Sequence, residues 1–195
     1  MVQITKLDGA KATITVPPFA KILYEHVDQA DFEKAIRLCR FVKEKTLWGC
    51  LAAMSLYCRE LETAEIALAA LDEVDKVQFI NYIKELPSEA AKNSALALYC
   101  KKINEAEQIL IQAKLYYRAI KMNIKLFRWE RALDLAVKYN THLDTVVGFR
   151  QQYLESCQKQ EDSAKFQQYM REVTVDWEAI NQKIEADKQA EAQRG

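Results

Sequence analysis

Five cysteines, two histidines and 28 carboxylates are the groups with which this chain could do chemistry. A thiolate or imidazole metal site needs ligands paired a few residues apart. Cys39, Cys50, Cys58, Cys100 and Cys157 include no CxxC pair, and neither His26 nor His142 has a cysteine at ligand spacing. The glycine loops that cradle phosphate (GxGxxG and the P-loop) are missing, as are the GxSxG nucleophile elbow, the HExxH helix and the EF-hand loop. The sequence therefore reads as non-catalytic, with no catalytic residue, no cofactor and no metal site. An odd number of thiols, each set among apolar helical residues, predicts reduced and mostly buried cysteines.

Charge offers a different kind of chemistry. Lysine plus arginine equals aspartate plus glutamate, 28 of each. That balance removes the long-range attraction on which nucleic-acid binding depends, so no nucleic acid is expected. No run of 18 apolar residues exists to span a membrane, and the N-terminus lacks signal-peptide character. The charges are nevertheless segregated. Glu60, Glu62, Glu65, Asp72, Glu73 and Asp75 occur with no lysine or arginine between them. Lys114, Arg118, Lys121, Lys125 and Arg128 occur in a segment with no acid from Gln108 to Trp129, stepping by four, three, four and three. This is the spacing of one helix face. It reads either as a solvated face or as a ridge that docks an acidic partner, such as the acidic segment of a second copy or the surface of another subunit.

Helices must carry these charges. Only 4 glycines and 3 prolines interrupt the chain, which argues for helices joined by tight polar turns. The segment Leu56–Glu65 is echoed 42 residues later by Leu98–Glu107, with five identical positions. A period of this size indicates stacked helical hairpins, because one helix pair cannot bury its own apolar face. A seed of the form apolar-x-x-Ala recurs at Phe32/Ala35, Leu61/Ala64, Ile103/Ala106 and Trp129/Ala132, at intervals of 29, 42 and 26. A large residue beside a small one lets neighbouring helices interlock. In the first seeded helix Phe32, Ala35, Ile36, Cys39 and Val42 form the inward stripe, with Glu33–Arg37 and Arg40–Glu44 spaced as ion pairs.

The 3.6-residue pattern predicts helices near 19–28, 31–44, 46–59, 61–71, 73–85, 88–101, 103–113, 115–127, 129–139, 143–158, 162–173 and 176–192. Ser88 is a predicted N-cap, and Thr141-His142-Leu143-Asp144 resembles a capping box. The frequent aromatics, among them Trp48, Tyr57, Phe79, Tyr82, Tyr99, Tyr116, Tyr117, Phe127 and Trp129, read as core residues, with a peptide groove as the alternative. The first eighteen residues differ: Val2 and Ile4, then Ala12, Ile14 and Val16, alternate with polar residues around Asp8-Gly9 and end at Pro17-Pro18, a β-hairpin pattern. A lone hairpin is marginal in water, so its sheet partners are expected elsewhere in a longer chain. The predicted organisation is thus a hairpin at 1–18, an irregular TPR-like helical-hairpin solenoid at 19–175, and a C-terminal helix with a frayed polar tail at 176–195. The 34-residue tetratricopeptide period is not kept.

The run Phe32-Glu33-Lys34-Ala35-Ile36-Arg37-Leu38-Cys39-Arg40-Phe41-Val42-Lys43, then Thr46-Leu47-Trp48, Thr63-Ala64-Glu65-Ile66-Ala67, Asp75-Lys76-Val77-Gln78-Phe79-Ile80-Asn81 and Trp129-Glu130-Arg131-Ala132-Leu133, closely resembles a family. It is similar to the C-terminal helical-repeat region of the eighty-kilodalton WD-repeat subunits of intraflagellar transport complex B. The resemblance implies that the hairpin is the end of a truncated β-propeller. It also implies a non-catalytic scaffold segment in ciliary train assembly, located in the cilium or flagellum, basal body and cytoplasm. Implied partners are other complex B subunits of the peripheral subcomplex, including the larger WD-repeat subunit and calponin-homology-domain subunits, with a homo-oligomer as a further option. The alternatives are a peptide-binding TPR-like adaptor and a vesicle-coat-type solenoid subunit.

Overall fold

The computed structural model describes residues 2–5, 7, 9–14 and 18–193. Two strands come first, β1 (Val2–Thr5) and β2 (Lys11–Ile14), paired antiparallel with Val2 opposite Ile14. Gly9 takes φ +80° in the connection, as a tight turn requires. Asp8, Val16 and Pro17 lie outside the described residues. The helices follow: α1 (Phe19–Asp28), α2 (Phe32–Val42), α3 (Lys45–Tyr57), α4 (Leu61–Ala69), α5 (Val74–Lys84), α6 (Glu89–Tyr99), α7 (Ile103–Gln112), α8 (Tyr116–Lys125), α9 (Trp129–Tyr139), α10 (Leu143–Ser156), α11 (Ala164–Glu172) and α12 (Trp177–Ala192). They form two compact units, Met1–Glu85 and Leu86–Gly195.

Every seed opens the second helix of a hairpin. Phe32, Leu61, Ile103 and Trp129 are the first residues of α2, α4, α7 and α9, and Ala35, Ala64, Ala106 and Ala132 are all 0 % exposed. The pairs α1/α2, α3/α4, α6/α7 and α8/α9 pack as hairpins. The long interval of 42 has a simple cause: α5 is a single helix inserted between the second and third hairpins.

One turn joins each hairpin. Its central residue is left-handed: Ala30 (φ 56°), Arg59 (64°), Lys101 (62°) and Phe127 (56°). The residue after it reaches back five positions, as in Glu60 N–H to Ser55 O at 2.8 Å and Lys102 N–H to Ala97 O at 2.9 Å. These are Schellman closures, which satisfy carbonyls left open at a helix end. Glycine usually fills this position, yet here the chain places ordinary side chains in it, so few glycines were visible in the sequence.

Local departures have local causes. Lys43 is left-handed and ends α2 at Val42, so Glu44 becomes the N-cap of α3 and the Arg40–Glu44 spacing is no longer helical. The Glu33–Arg37 pair does form. Ser88 caps α6 by accepting from Ala91 N–H. The expected capping box at Thr141 is corrected: Asn140 and His142 are both left-handed, His142 takes the N-cap position, and no side chain caps the helix there. The cysteine expectation is also corrected. All five are free, but only Cys39 is buried. Cys58, Cys100 and Cys157 are C-cap residues, where the last turn runs out of core to pack on. Tyr57, Tyr82 and Phe127 are likewise exposed.

In the second unit the core is built from Ala106, Leu110, Ile120, Ala132, Leu133, Ala136, Val146 and Phe166. Gly148 of α10 permits a close approach: a Cβ there would stand 3.0 Å from Val175 and 3.2 Å from Trp177. The tail expected to fray from Glu185 is helical through Ala192, where Glu191 pairs with Arg118 of α8 and Asp187 meets His142, as described next.

Candidate protein-interaction surface

The echoed glutamates show how the repeats are pinned. Glu65 of α4 accepts from Lys84 of α5 at 2.6 Å. Glu107, at the matching place in α7, accepts from Asn123 of α8 at 2.9 Å and from Arg131 Nε of α9 at 2.9 Å. Glu107 is 5 % exposed. Burial pushes its carboxyl up, but the hydrogen bonds from Arg131 and Asn123 outweigh that and hold it below the ordinary glutamate range. Glu65 is held low by Lys84 in the same way. In these two of the four hairpins a glutamate thus ties the seeded helix to the next.

The basic stripe is distributed over three elements rather than one helix face. Only Arg118, Lys121 and Lys125 belong to α8. Lys114 is the left-handed residue of the preceding turn, and Arg128 is the N-cap of α9 beyond left-handed Phe127. Lys114, Lys121 and Lys125 are exposed, whereas Arg118 and Arg128 are half-buried. Among the described residues Lys114, Lys121, Lys125 and Arg128 make no ion pair, while Arg118 pairs with Glu191 of α12. Lys121 titrates below the ordinary lysine range; partial desolvation is the main cause, and repulsion from Lys125, Lys188 and Arg118 adds to it. Its ammonium also stands 5.7 Å from the Tyr117 ring centroid. The structure therefore keeps a cluster of cations without ion pairs on and beside α8 among the described residues, of which Arg128 also feels the charge of Glu107.

Sequence reasoning missed the acids that face this cluster. Glu191, 5 % exposed, accepts from Arg118 and from Ser88 Oγ at 2.9 Å. Asp187 Oδ2 lies 2.6 Å from Nε2 of buried His142. His142 Nδ1 lies 3.0 Å from Thr145 Oγ1, and its ring is 4.6 Å from that of Tyr117. Lys183 reaches Asp144. Period counting could not find these pairs, because they join positions 45 and 73 apart.

A second surface feature lies at the N-terminal end of α9, beside Arg128. Phe127, 63 % exposed and left-handed, has ring centroids 6.2 Å from Trp129 and 5.3 Å from Tyr153. Arg150 lies over Trp129, Tyr153 and Phe166 at 5.5, 5.7 and 5.5 Å and is held bidentately by Glu161 at 2.7 and 3.0 Å. Its cation is already satisfied, so it organises the aromatic group. The Thr145–His142–Asp187 contacts do set a hydroxyl beside an imidazole, but Thr145 is 0 % exposed and closed to any substrate, and no cluster of metal-ligating side chains occurs among the described residues. What the arrangement can do is bind charged and aromatic protein surface. No helix is long and apolar enough to cross a membrane among the described residues.

Comparison with known proteins agrees with the fold. The family model described as the IFT80/172/WDR35/WDR19 TPR domain matches residues 47–193. The chain is 49 % identical over 186 residues to the intraflagellar transport protein 80 homolog of Rattus norvegicus, covering 95 % of this chain and 24 % of that protein. It is 28 % identical over 153 residues to the intraflagellar transport protein osm-1 of Caenorhabditis elegans, covering 65 % of this chain and 9 % of that protein. To the intraflagellar transport protein 172 homolog of Mus musculus it is 25 % identical over 137 residues, covering 64 % and 8 %. The chain thus spans about a quarter of the length of the first of these relatives. With the seeded helices α4, α7 and α9, the inserted α5 and both glutamate ties inside the matched region, the chain belongs to the IFT80/172/WDR35/WDR19 TPR-domain family.

Proposed function

We propose that this chain is a non-catalytic scaffold segment of an intraflagellar transport complex B subunit, making protein–protein contacts in ciliary train assembly. The observation that carries the reading is the group of cations on and beside α8 that make no ion pair among the described residues, Lys114, Lys121, Lys125 and Arg128, in a chain of zero net charge. Like charges held together repel, and a partner surface that supplies acids relieves the repulsion. Arg118 joins this ridge when its own acid is withdrawn. The names of the relatives support the setting: each of the three compared is an intraflagellar transport protein.

In this reading the partners are other complex B subunits of the peripheral subcomplex, among them the larger WD-repeat subunit and calponin-homology-domain subunits, and the chain acts in the cilium or flagellum, at the basal body and in the cytoplasm. Residues 1–18 are the end of a preceding β-propeller, residues 19–175 the helical-repeat region and 176–195 its C-terminal helix. The two-stranded sheet in an otherwise helical chain supports the first of these, since such a pair is marginal alone. The test is affinity capture of the tagged full-length protein from ciliated cells. Recovery of other train subunits supports the proposal; recovery of vesicle-coat subunits in their place contradicts it.

A further inference from the structure

Helix α12 is fastened to its unit in two different ways. Its first half carries the apolar anchors: Trp177 packs edge-on against Phe149 at 5.4 Å, and Ile180 is fully buried. From Glu185 onward alanine is the only apolar residue type. This second half is held by the Asp187–His142 contact, the Glu191–Arg118 pair and the Ser88–Glu191 hydrogen bond. A cavity of about 90 Å³ remains beneath it, lined in part by Lys114, Tyr116, Arg118, Thr141 and Ala190. The fit is incomplete: Lys121 has no ion pair with a carboxylate of α12 among the described residues, and nearby Lys188, whose ammonium pairs with Glu185 at 3.1 Å, adds a like charge beside it.

Glu191 and His142 are buried, so desolvation offsets much of the attraction in their contacts, and opening the strap returns both partners of each to water. Segments with few apolar contacts open at a fraction of the cost of global unfolding. Opening the last two turns of α12 would free Arg118 and His142 and make the cationic surface from Lys114 to Lys125 continuous. We propose that the last two turns of α12 are a displaceable strap, and that the surface beneath them docks a partner helix bearing two carboxylates four residues apart. The strap itself defines this chemistry. Asp187 and Glu191 stand at i and i+4, the spacing that places both on one helix face, and each meets a group on another helix. A partner without a cation at the place of Lys188 avoids the repulsion and competes successfully. This inference rests on the proposed docking role of the α8 surface and adds the gate and the ligand chemistry.

The experiment uses the full chain and fluorescein-labelled peptides with the sequence of residues 176–193, either unchanged or with Lys188→Glu. Anisotropy titrations at low salt are compared for wild type and for the doubly substituted strap Asp187→Asn/Glu191→Gln. The proposal expects at least tenfold tighter binding by the strap variant, tighter binding of the Lys188→Glu peptide, and loss of both on adding Arg118→Glu. Hydrogen exchange on the wild-type chain covers the case of a variant that fails to fold. Amides 186–192 should exchange faster than those of α8, by local opening. Equal affinity of wild type and strap variant, or exchange at 186–192 only through global unfolding, overturns the strap. If those results come while reversal of Lys121 and Lys125 still weakens partner binding, the docking surface stands and only the gate has failed.

Discussion

Arg59 and Lys101, 42 residues apart, hold the same left-handed backbone conformation, with φ of 64° and 62°. Each follows an exposed cysteine C-cap and precedes the N-cap of a seeded helix. An L-residue in this region costs about 1–2 kcal/mol, and glycine avoids that at an entropic cost of about 0.5–1 kcal/mol. Lys101→Gly should therefore stabilise the chain by about 0.5–1 kcal/mol, and Lys101→Val should destabilise it, since a β-branched residue fits this conformation worst. Urea unfolding of the two variants checks the sign of each.

Ala106 is 0 % exposed at the point where α7 meets α6. Enlarging it forces the helices apart. Ala106→Leu should cost about 1–3 kcal/mol. A change near zero would mean that the small residue is not at a close helix contact.

Glu107 gives the fold an acid-sensitive tie. Its folded pKa lies below the unfolded value. Its contribution is then complete above the unfolded value, near 4.3, and is lost as pH falls through the folded value. Wild type should lose stability steadily below about pH 4.5. Glu107→Gln should lower stability at neutral pH by about 1–3 kcal/mol, because Arg131 is partly exposed and can rehydrate. The variant should also show a shallower acid limb than wild type. Parallel acid limbs would remove Glu107 from the account.

Thiol labelling should separate one cysteine from four. Burial pushes the Cys39 thiol up to about 11, with Cys50 adding to the shift. Thiolate is the reactive form, so Cys39 should react only in denaturant. Cys50, Cys58, Cys100 and Cys157, all exposed, should label in the native state. Mass spectrometry after a short native pulse should show four modified cysteines per chain.

Much of this was legible because it is local. The seeds, the buried alanines, the twelve helices and the Ser88 cap all follow from patterns within a few residues. The left-handed turns were hidden because no glycine marks them, and that same omission made Lys114 to Arg128 look like a single helix face. Exposure of the C-cap cysteines depends on where the core stops. The role of Glu191 depends on Arg118 and Ser88, which are remote in sequence. Composition could show that 185–195 is polar, but only the fold could show what its carboxylates meet.

We propose that the cations on and beside α8 dock an acidic protein surface. The most direct measurement is the association rate of the full-length protein with purified complex B partner subunits, for wild type and for Lys114→Glu/Lys121→Glu/Lys125→Glu. None of these three makes an ion pair among the described residues, so thermal stability should barely change. The account predicts an association rate at least tenfold slower for the variant at low salt, with the difference shrinking as salt rises. Equal rates at low salt for every partner would contradict it and leave the ridge a solvated face.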